Sequence, residues 1–438
     1  MCSVGDVGCT LSNLDGMHDG KLIQNQIVRG YWTTEKPVNP VEKSKMIEFD
    51  YSGSGNELAE LNSMYFTVAA KITKANGGDI DAGSKVATIN NLLNAMWNQI
   101  DIFWNDERVT SPVIQHASRA NIETILSYNA DSLDTKLSAQ LFYKDTAGQM
   151  DNADPNPTAG SAVNEGLKKR YQFSKESKMM QLMGRLHADP FLQDKPLIPG
   201  VRMRIRLHRN SDEYLLMSSE ADAAYKLEIM DITLNLRKLV LSSSAYTKLM
   251  SRDVIYTFPR IETKEYLQSR GQKNFYMPNV ATGILPTRIV LLLISSDAGN
   301  GSYKLNPFNH QHYNLTSVAV TVNGALLGGR PLELDCEQNR DLEGYFSLIA
   351  ATGKISDNRG CYIPREDYKG GYMLLAFDLT PTQCGESVYS DPSNAGDAHI
   401  NLTFKENLPV AIKGIVYLEY EGKIVINKAK QVITYFNT

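Results

Sequence analysis

Short stretches of alternating apolar and polar residues recur along the chain, from Met46 to Tyr246 and again from Val254 to Phe436. Gly, Pro, Asn and Asp separate them. A period of two between turn residues predicts β-strands. In the first run the pattern predicts strands at Met46–Tyr51, Tyr65–Ile72, Gln99–Asn105, Lys175–Asp189, Val201–Arg209 and Tyr225–Leu241. In the second it predicts Val254–Leu267, Asn274–Met277, Thr287–Ile294, Leu315–Val322, Tyr372–Leu379, His399–Phe404 and Ala411–Ile426. Turn signals such as Pro278-Asn279, Asn323-Gly324, Gly328-Gly329 and Gly370-Gly371 fall between them. Two β-sandwiches in tandem, with roughly seven strands each, follow from this pattern.

Three segments break the alternation. Val86–Trp97 places Ile89, Leu92, Leu93, Met96 and Trp97 at helical spacing. Residues 119–143 repeat Ile122, Ile125, Leu126, Leu133, Leu137 and Leu141 at threes and fours, which predicts a helical insertion. Glu343–Ala351 reads as one short helix. The polar stretch Ser242–Arg252 marks a boundary, which divides the chain into 1–44, 45–250 and 251–438. Residues 1–44 show no sustained period and read as an arm or as disorder.

Composition narrows the class. A chain of 438 residues with 42% hydrophobic and 21% charged residues is globular. A net charge of −4 gives no basic footprint for packaging nucleic acid, so no sequence-specific nucleic-acid partner is expected. No apolar run reaches the length of a membrane span, and the N-terminus lacks the pattern of a secretory signal. The five cysteines, Cys2, Cys9, Cys336, Cys361 and Cys384, are odd in number and scattered, which fits a reducing compartment.

Candidate chemistry is sparse. Ser52-Gly-Ser-Gly-Asn56 has no following Lys-Ser/Thr and is not a phosphate loop. His310-Gln-His312 and His187-Ala-Asp189 each offer two ligand-type side chains, too few for a zinc site. No catalytic, cofactor-binding or metal residue is nominated, and no enzymatic activity or cofactor is expected. One strand carries an unusual face. Val201, Met203, Ile205 and Leu207 point one way, and Arg202, Arg204, Arg206 and His208 the other. That basic face is either solvated or meets an acidic neighbouring subunit or nucleic acid. A carbohydrate-binding or adhesion module, and a β-sandwich hydrolase using paired carboxylates, remain as alternative functions.

Several strings resemble a known family. They are Arg119-Ala-Asn-Ile-Glu-Thr-Ile-Leu-Ser-Tyr, Leu141-Phe-Tyr-Lys-Asp-Thr-Ala-Gly, Gly184-Arg-Leu-His-Ala-Asp and Tyr225-Lys-Leu-Glu-Ile in the first half. Leu285-Pro-Thr-Arg-Ile-Val, Gly301-Ser-Tyr-Lys-Leu-Asn-Pro-Phe-Asn and Tyr368-Lys-Gly-Gly-Tyr-Met-Leu-Leu-Ala-Phe-Asp-Leu-Thr-Pro follow in the second. Their order and spacing over roughly residues 45–435 are similar to the major capsid protein of Polinton (Maverick) elements and adintoviruses.

The resemblance implies an all-β double jelly roll: two tandem eight-stranded β-sandwiches with short helical insertions. It also implies a homotrimeric pseudo-hexagonal capsomer that meets neighbouring capsomers in an icosahedral virion shell. A separate single-jelly-roll penton protein would sit at the vertices. Assembly would take place inside the host cell, in the nucleus or the cytoplasm, without secretion. Within that picture the helical insertion decorates the end of a sandwich, and the N-terminal arm clamps a neighbour during assembly.

Overall fold

The computed structural model describes residues 26–42, 44–111, 115–158, 160–355, 361–382 and 394–435. The first half carries β1 (Ile27–Glu35), β2 (Met46–Ser52), β3 (Glu57–Lys74), β4 (Val86–Thr88) and β5 (Trp97–Trp104). It continues with β6 (Glu107–Arg108), β7 (Met180–Gly184), β8 (Arg202–Arg209), β9 (Leu216–Ser218) and β10 (Tyr225–Leu241). Two four-stranded sheets, β1-β10-β3-β7 and β2-β8-β5-β6, face one another, and β4 and β9 form a separate ladder. Alternation drives this packing. Along β3, Phe66, Val68, Ala70 and Ile72 are buried, while the residues between them are only partly covered. Phe66 meets Phe49 of β2 edge-on, with ring centroids 5.6 Å apart, and so ties the two sheets together.

The second half repeats the plan. It comprises β11 (Val254–Gln268), β12 (Asn274–Ile284), β13 (Arg288–Ser295), β14 (Leu315–Val322) and β15 (Ala325–Leu326). Then come β16 (Leu332–Glu333), β17 (Leu375–Asp378), β18 (Ala395–Phe404), β19 (Ile412–Ile426) and β20 (Val432–Tyr435). The sheets run β11-β19-β13-β17, with β20 on β19, and β12-β18-β14-β15, with β16 on β14. All pairings between these strands are antiparallel. Gly414 lets the two sheets approach: a Cβ there would lie 3.0 Å from Met277 Sδ of β12. Among the described residues no sheet draws strands from both halves.

Several expectations change in detail. Part of the stretch expected to be an arm is a strand: β1 pairs with β10 from Ile27↔Leu241 to Glu35↔Leu234. Its buried face is too intermittent to show as a period, because an edge strand is covered on one side only. The helical patch Val86–Trp97 splits into β4 and a single turn, Leu92–Ala95, that is buried all round. Such a segment has no polar face from which to read its period. Of Lys175–Asp189 only β7 is strand, and it is preceded by the unforeseen helix Glu165–Ser174. The Ser-rich boundary holds the helix Ser243–Met250, whose Ser242 side chain caps Ala245 N–H.

Candidate assembly surfaces and the seam between the sandwiches

Between β6 and β7, residues 115–158 and 160–179 supply much of the contact with the second sandwich, so the site is built from there. The helix His116–Ser127 is not a surface decoration, because ten of its twelve residues are buried. Its faces carry Arg119 and Glu123 one turn apart. Arg119 Nε donates to Glu123 Oε1 at 2.8 Å and its Nη2 donates to Asp189 Oδ1 at 2.5 Å. His187 Nδ1 lies 2.6 Å from Glu123 Oε2. From β19 of the second sandwich, Tyr417 OH donates to Glu123 Oε1 at 3.3 Å.

This cluster is nearly dry, and its electrostatics follow from that. Burial penalises the Glu123 charge, but the Arg119 guanidinium and His187 outweigh it and hold the carboxyl at about 2. Burial raises the Asp189 carboxyl despite Arg119. His116, buried beside Arg119, is held well below its ordinary value by desolvation, and its Nε2 has no hydrogen-bond partner. A cavity of about 310 Å³ borders the cluster, reached by Glu123 and His187 from one side and Arg288, Tyr417 and Glu419 from the other.

A second polar contact lies farther along the seam. Arg170, fully buried on the helix Glu165–Ser174, donates to Thr88 O, Tyr143 O and Asp145 Oδ1 at 2.7–2.8 Å. The other Asp145 oxygen accepts from Asn306 Nδ2 of the second half at 3.0 Å. Tyr372 OH donates to Asp145 O at 2.6 Å. Asp151 accepts from Asn306 N at 2.8 Å and Asn309 Nδ2 at 2.6 Å, and burial still raises its carboxyl. Gly370, expected only to turn the chain, has a tighter duty here: a Cβ would lie 2.7 Å from Ala147 Cβ.

The residues singled out in sequence fall into place around this seam. His187 and Asp189 are brought together, but as parts of the Arg119–Glu123 ion network. His310 is buried with neither ring nitrogen partnered, and burial lowers it to about 3. His312 points elsewhere, and its Nδ1 accepts from Asn314 N at 3.0 Å. Among the described residues no group of three or more His, Cys, Asp or Glu side chains is placed to hold a metal ion. Cys336 and Cys361 are free thiols, and Cys2, Cys9 and Cys384 lie outside the described residues. Sequence reasoning missed Arg119, Glu123, Arg170 and Asp145 as a unit. An Arg and a Glu four apart on an otherwise uncharged helical stretch was the available signal for the first two.

The basic face of β8 meets acid from its own sheet. Arg202 pairs with Asp50, Arg204 with Asp106, and Arg206 with Glu48 at 2.7 Å. Asp101 sits between His208 and Arg108. The outer face of β1-β10-β3-β7 is different. It shows Trp32, half exposed and tilted on Tyr65 at 5.4 Å, with Met183 and Met230 also exposed. In the second half Leu342 and Phe346 stand out from the helix Leu342–Ala351. One sandwich thus has a charged, self-neutralised face and a mixed one, on which these apolar side chains stand beside charges such as the Arg237–Glu60 pair.

Comparison with known proteins places this architecture. The cryo-EM structure of the Sputnik virophage superposes with a TM-score of 0.67 over 96% of this chain and 91% of that one, at 10% identity. The mavirus major capsid protein gives 0.54 over 99% and 95%, at 13% identity. The fold is a double jelly roll. The Faustovirus major capsid protein gives 0.57 over 93% and 92%, at 9% identity. In sequence, an uncharacterized protein of Caenorhabditis elegans is 22% identical over 91% of this chain and 95% of its own length. No family model matches.

Proposed function

We propose that this chain is a major capsid protein whose double jelly rolls form homotrimeric, pseudo-hexagonal capsomers and tile an icosahedral shell. The observation that carries the reading is coverage. Both sandwiches, in order, align with viral capsid chains over more than nine-tenths of either partner. A shared single sandwich would say far less, because β-sandwiches serve many functions. The paired array supplies six sandwiches from three chains, a near-hexagonal outline for closed heterologous contacts.

The finer reading places the chain in the Polinton and adintovirus lineage. It rests on the ordered strings between Arg119 and Pro381, and a nematode relative along nearly the whole chain is in keeping with it. The division at the helix Ser243–Met250 gives one jelly roll on each side. Partners are two further copies, neighbouring capsomers and a single-jelly-roll penton protein. The virion capsid is the destination, with assembly inside the host cell. No catalytic role is assigned.

Light scattering on the purified chain, with negative-stain images of the same peak, tests this. The expected mass is three times 48.8 kDa with three-fold or hexagonal outlines. A monomer at micromolar concentration would count against it.

A further inference from the structure

The two jelly rolls repeat one plan, yet among the described residues only one of two equivalent contacts is made within the chain. In each roll the first strand pairs with a late one, which pairs with the third: β1-β10-β3-β7 in one and β11-β19-β13-β17 in the other. In each, an insertion with a helix precedes the outermost strand, His116–Ser127 before β7 and Leu342–Ala351 before β17. Across the seam the first insertion covers the second sheet. Ile122, Glu123 and Leu126 face Ile261 of β11, Val290 of β13 and Tyr417 of β19 over the cavity of about 310 Å³. This is the outer face of the sheet. Val290 lies across from Tyr417 and Ile261 across from Glu419, whereas Gly414, which meets β12, has the opposite parity.

The matching face of the first roll is open. Trp32 of β1 lies across from Arg237, Tyr65 of β3 across from Asn235, and Met183 of β7 across from Thr67. They point away from the buried Phe66 and Val68. Trp32 and Met183 are each 50% exposed, while Ile261 and Tyr417 on the covered sheet are 2% and 6% exposed. The second insertion, in turn, has a helix with a free side. Ten of the twelve residues of His116–Ser127 are buried, but only Gly344, Leu348 and Ala351 of Leu342–Ala351 are, and that helix packs on β17 of its own roll. Leu342 and Phe346, one turn apart, stand 48% and 55% exposed. A groove of about 400 Å³, with Leu332, Ile355 and Phe377 in its walls, runs beside the helix.

We propose that the helix Leu342–Ala351 of one chain seats on the outer face of β1-β10-β3-β7 of a second copy, with Leu342 and Phe346 against Trp32, Tyr65 and Met183. The contact between chains then repeats the contact within the chain. This rests on the trimer reading and names the surfaces that make the trimer. The two surfaces belong to different rolls, so the contact is head-to-tail: each chain gives one helix and receives one. Three copies close a ring in which every roll meets the next through an insertion laid on a sheet. Burial of the apolar side chains drives the association. The polar groups among them are already served. Thr34 donates to Asn235 Oδ1 at 2.9 Å, Asn235 Nδ2 donates to Thr67 Oγ1 at 3.1 Å, and Arg237 pairs with Glu60 at 3.1 Å. Covering that row therefore costs less than covering unpaired groups would.

Light scattering on the full chain tests the contact with paired variants. Trp32→Glu should lose the three-chain mass and run as a single chain, and so should Leu342→Glu/Phe346→Glu. Mixed in equal amounts, the two variants should form a two-chain species and nothing larger, because one intact surface of each kind is left between them. That complementation also shows both variants to be folded. In the otherwise native chain, a photo-crosslinking benzoylphenylalanine in place of Phe346 should join to Ile27–Glu35 or Glu57–Lys74 of another chain, read by mass spectrometry of the two-chain band. A three-chain mass in either variant would overturn the proposal and leave the trimer reading standing. So would variants that stay single when mixed, or a crosslink to any strand outside β1-β10-β3-β7. A wild type that runs as a single chain would overturn the trimer reading, and this contact with it.

Discussion

At the scale of the residue, the seam turns on charges that have almost no water. Arg119 serves two carboxylates, Glu123 and Asp189, with side chains only 0–11% exposed. Removing one partner from such a set strands the others. Arg119→Ala is expected to destabilise the fold by about 3–5 kcal/mol in urea unfolding, whereas an exposed pair such as Arg330–Glu343 is worth about 1 kcal/mol at most. His116 adds a pH dependence whose sign follows from linkage. Burial holds it neutral in the folded state, while the unfolded chain takes up a proton below its ordinary value of 6.5. Stability should therefore fall as pH drops below 6.5, by up to about 1.4 kcal/mol per pH unit. Glu123, held at about 2, adds a further loss as pH falls below its ordinary 4.5. Asp189 works the other way, because its folded value is raised. The difference between His116→Gln and wild type isolates the first effect, and the variant should show a flatter melting-temperature profile between pH 6.5 and 5.

At the scale of the element, β8 shows how a strand's own neighbours can answer a charge pattern. The alternation of Val201–Arg209 is plain in sequence, and the inward residues Met203, Ile205 and Leu207 are buried as it requires. What the arginines meet is set by register. Arg206 lies directly across from Glu48 on β2 and Asp101 on β5. Arg206→Glu would set like charges side by side and should cost about 1 kcal/mol or more in chemical denaturation, with Glu48→Arg/Arg206→Glu recovering much of it. Strand β1 allows a second comparison. A chain beginning at Gln26 should keep its fold. A chain beginning at Lys36 removes the partner of β10 over Ile27–Glu35 and leaves an open edge. It should melt several degrees lower, and differential scanning calorimetry would show whether it does.

At the scale of the whole molecule, among the described residues the two jelly rolls share no sheet, so they are coupled by contacts across the seam: the inserted segments between β6 and β7, Tyr256 OH on Pro196 O, Asn105 Nδ2 on Lys430 O and Tyr303 OH on Tyr225 O. Asn306 reaches from the second roll to Asp145 and Met150 O of the first. Asn306→Ala would leave a buried carboxylate oxygen without its donor, a loss of about 1–3 kcal/mol. It acts at the interface, so it should broaden the calorimetric transition or split it, where a core substitution of equal cost would only shift it. A single sharp transition at lower temperature would show that the rolls are coupled elsewhere.

How much of this was legible in the chain differs by the range of the interaction. By itself the sequence determined the strands, because side-chain period and turn residues are local: β10 and β14 lie where alternation puts them, Tyr225–Leu241 and Leu315–Val322. It also determined the tandem plan, since the same run of strands is written twice. It did not determine β1 as part of a sheet, because an edge strand half covered by one neighbour leaves a weak pattern. Nor did it determine the place of the helix His116–Ser127, whose amphipathic period is the same on a surface as in a seam. Only the tertiary structure brought Arg119 to Asp189 and Asp145 to Asn306, across 70 and 161 residues of chain. Those pairings depend on how two finished sandwiches press together, a contact that no local period encodes.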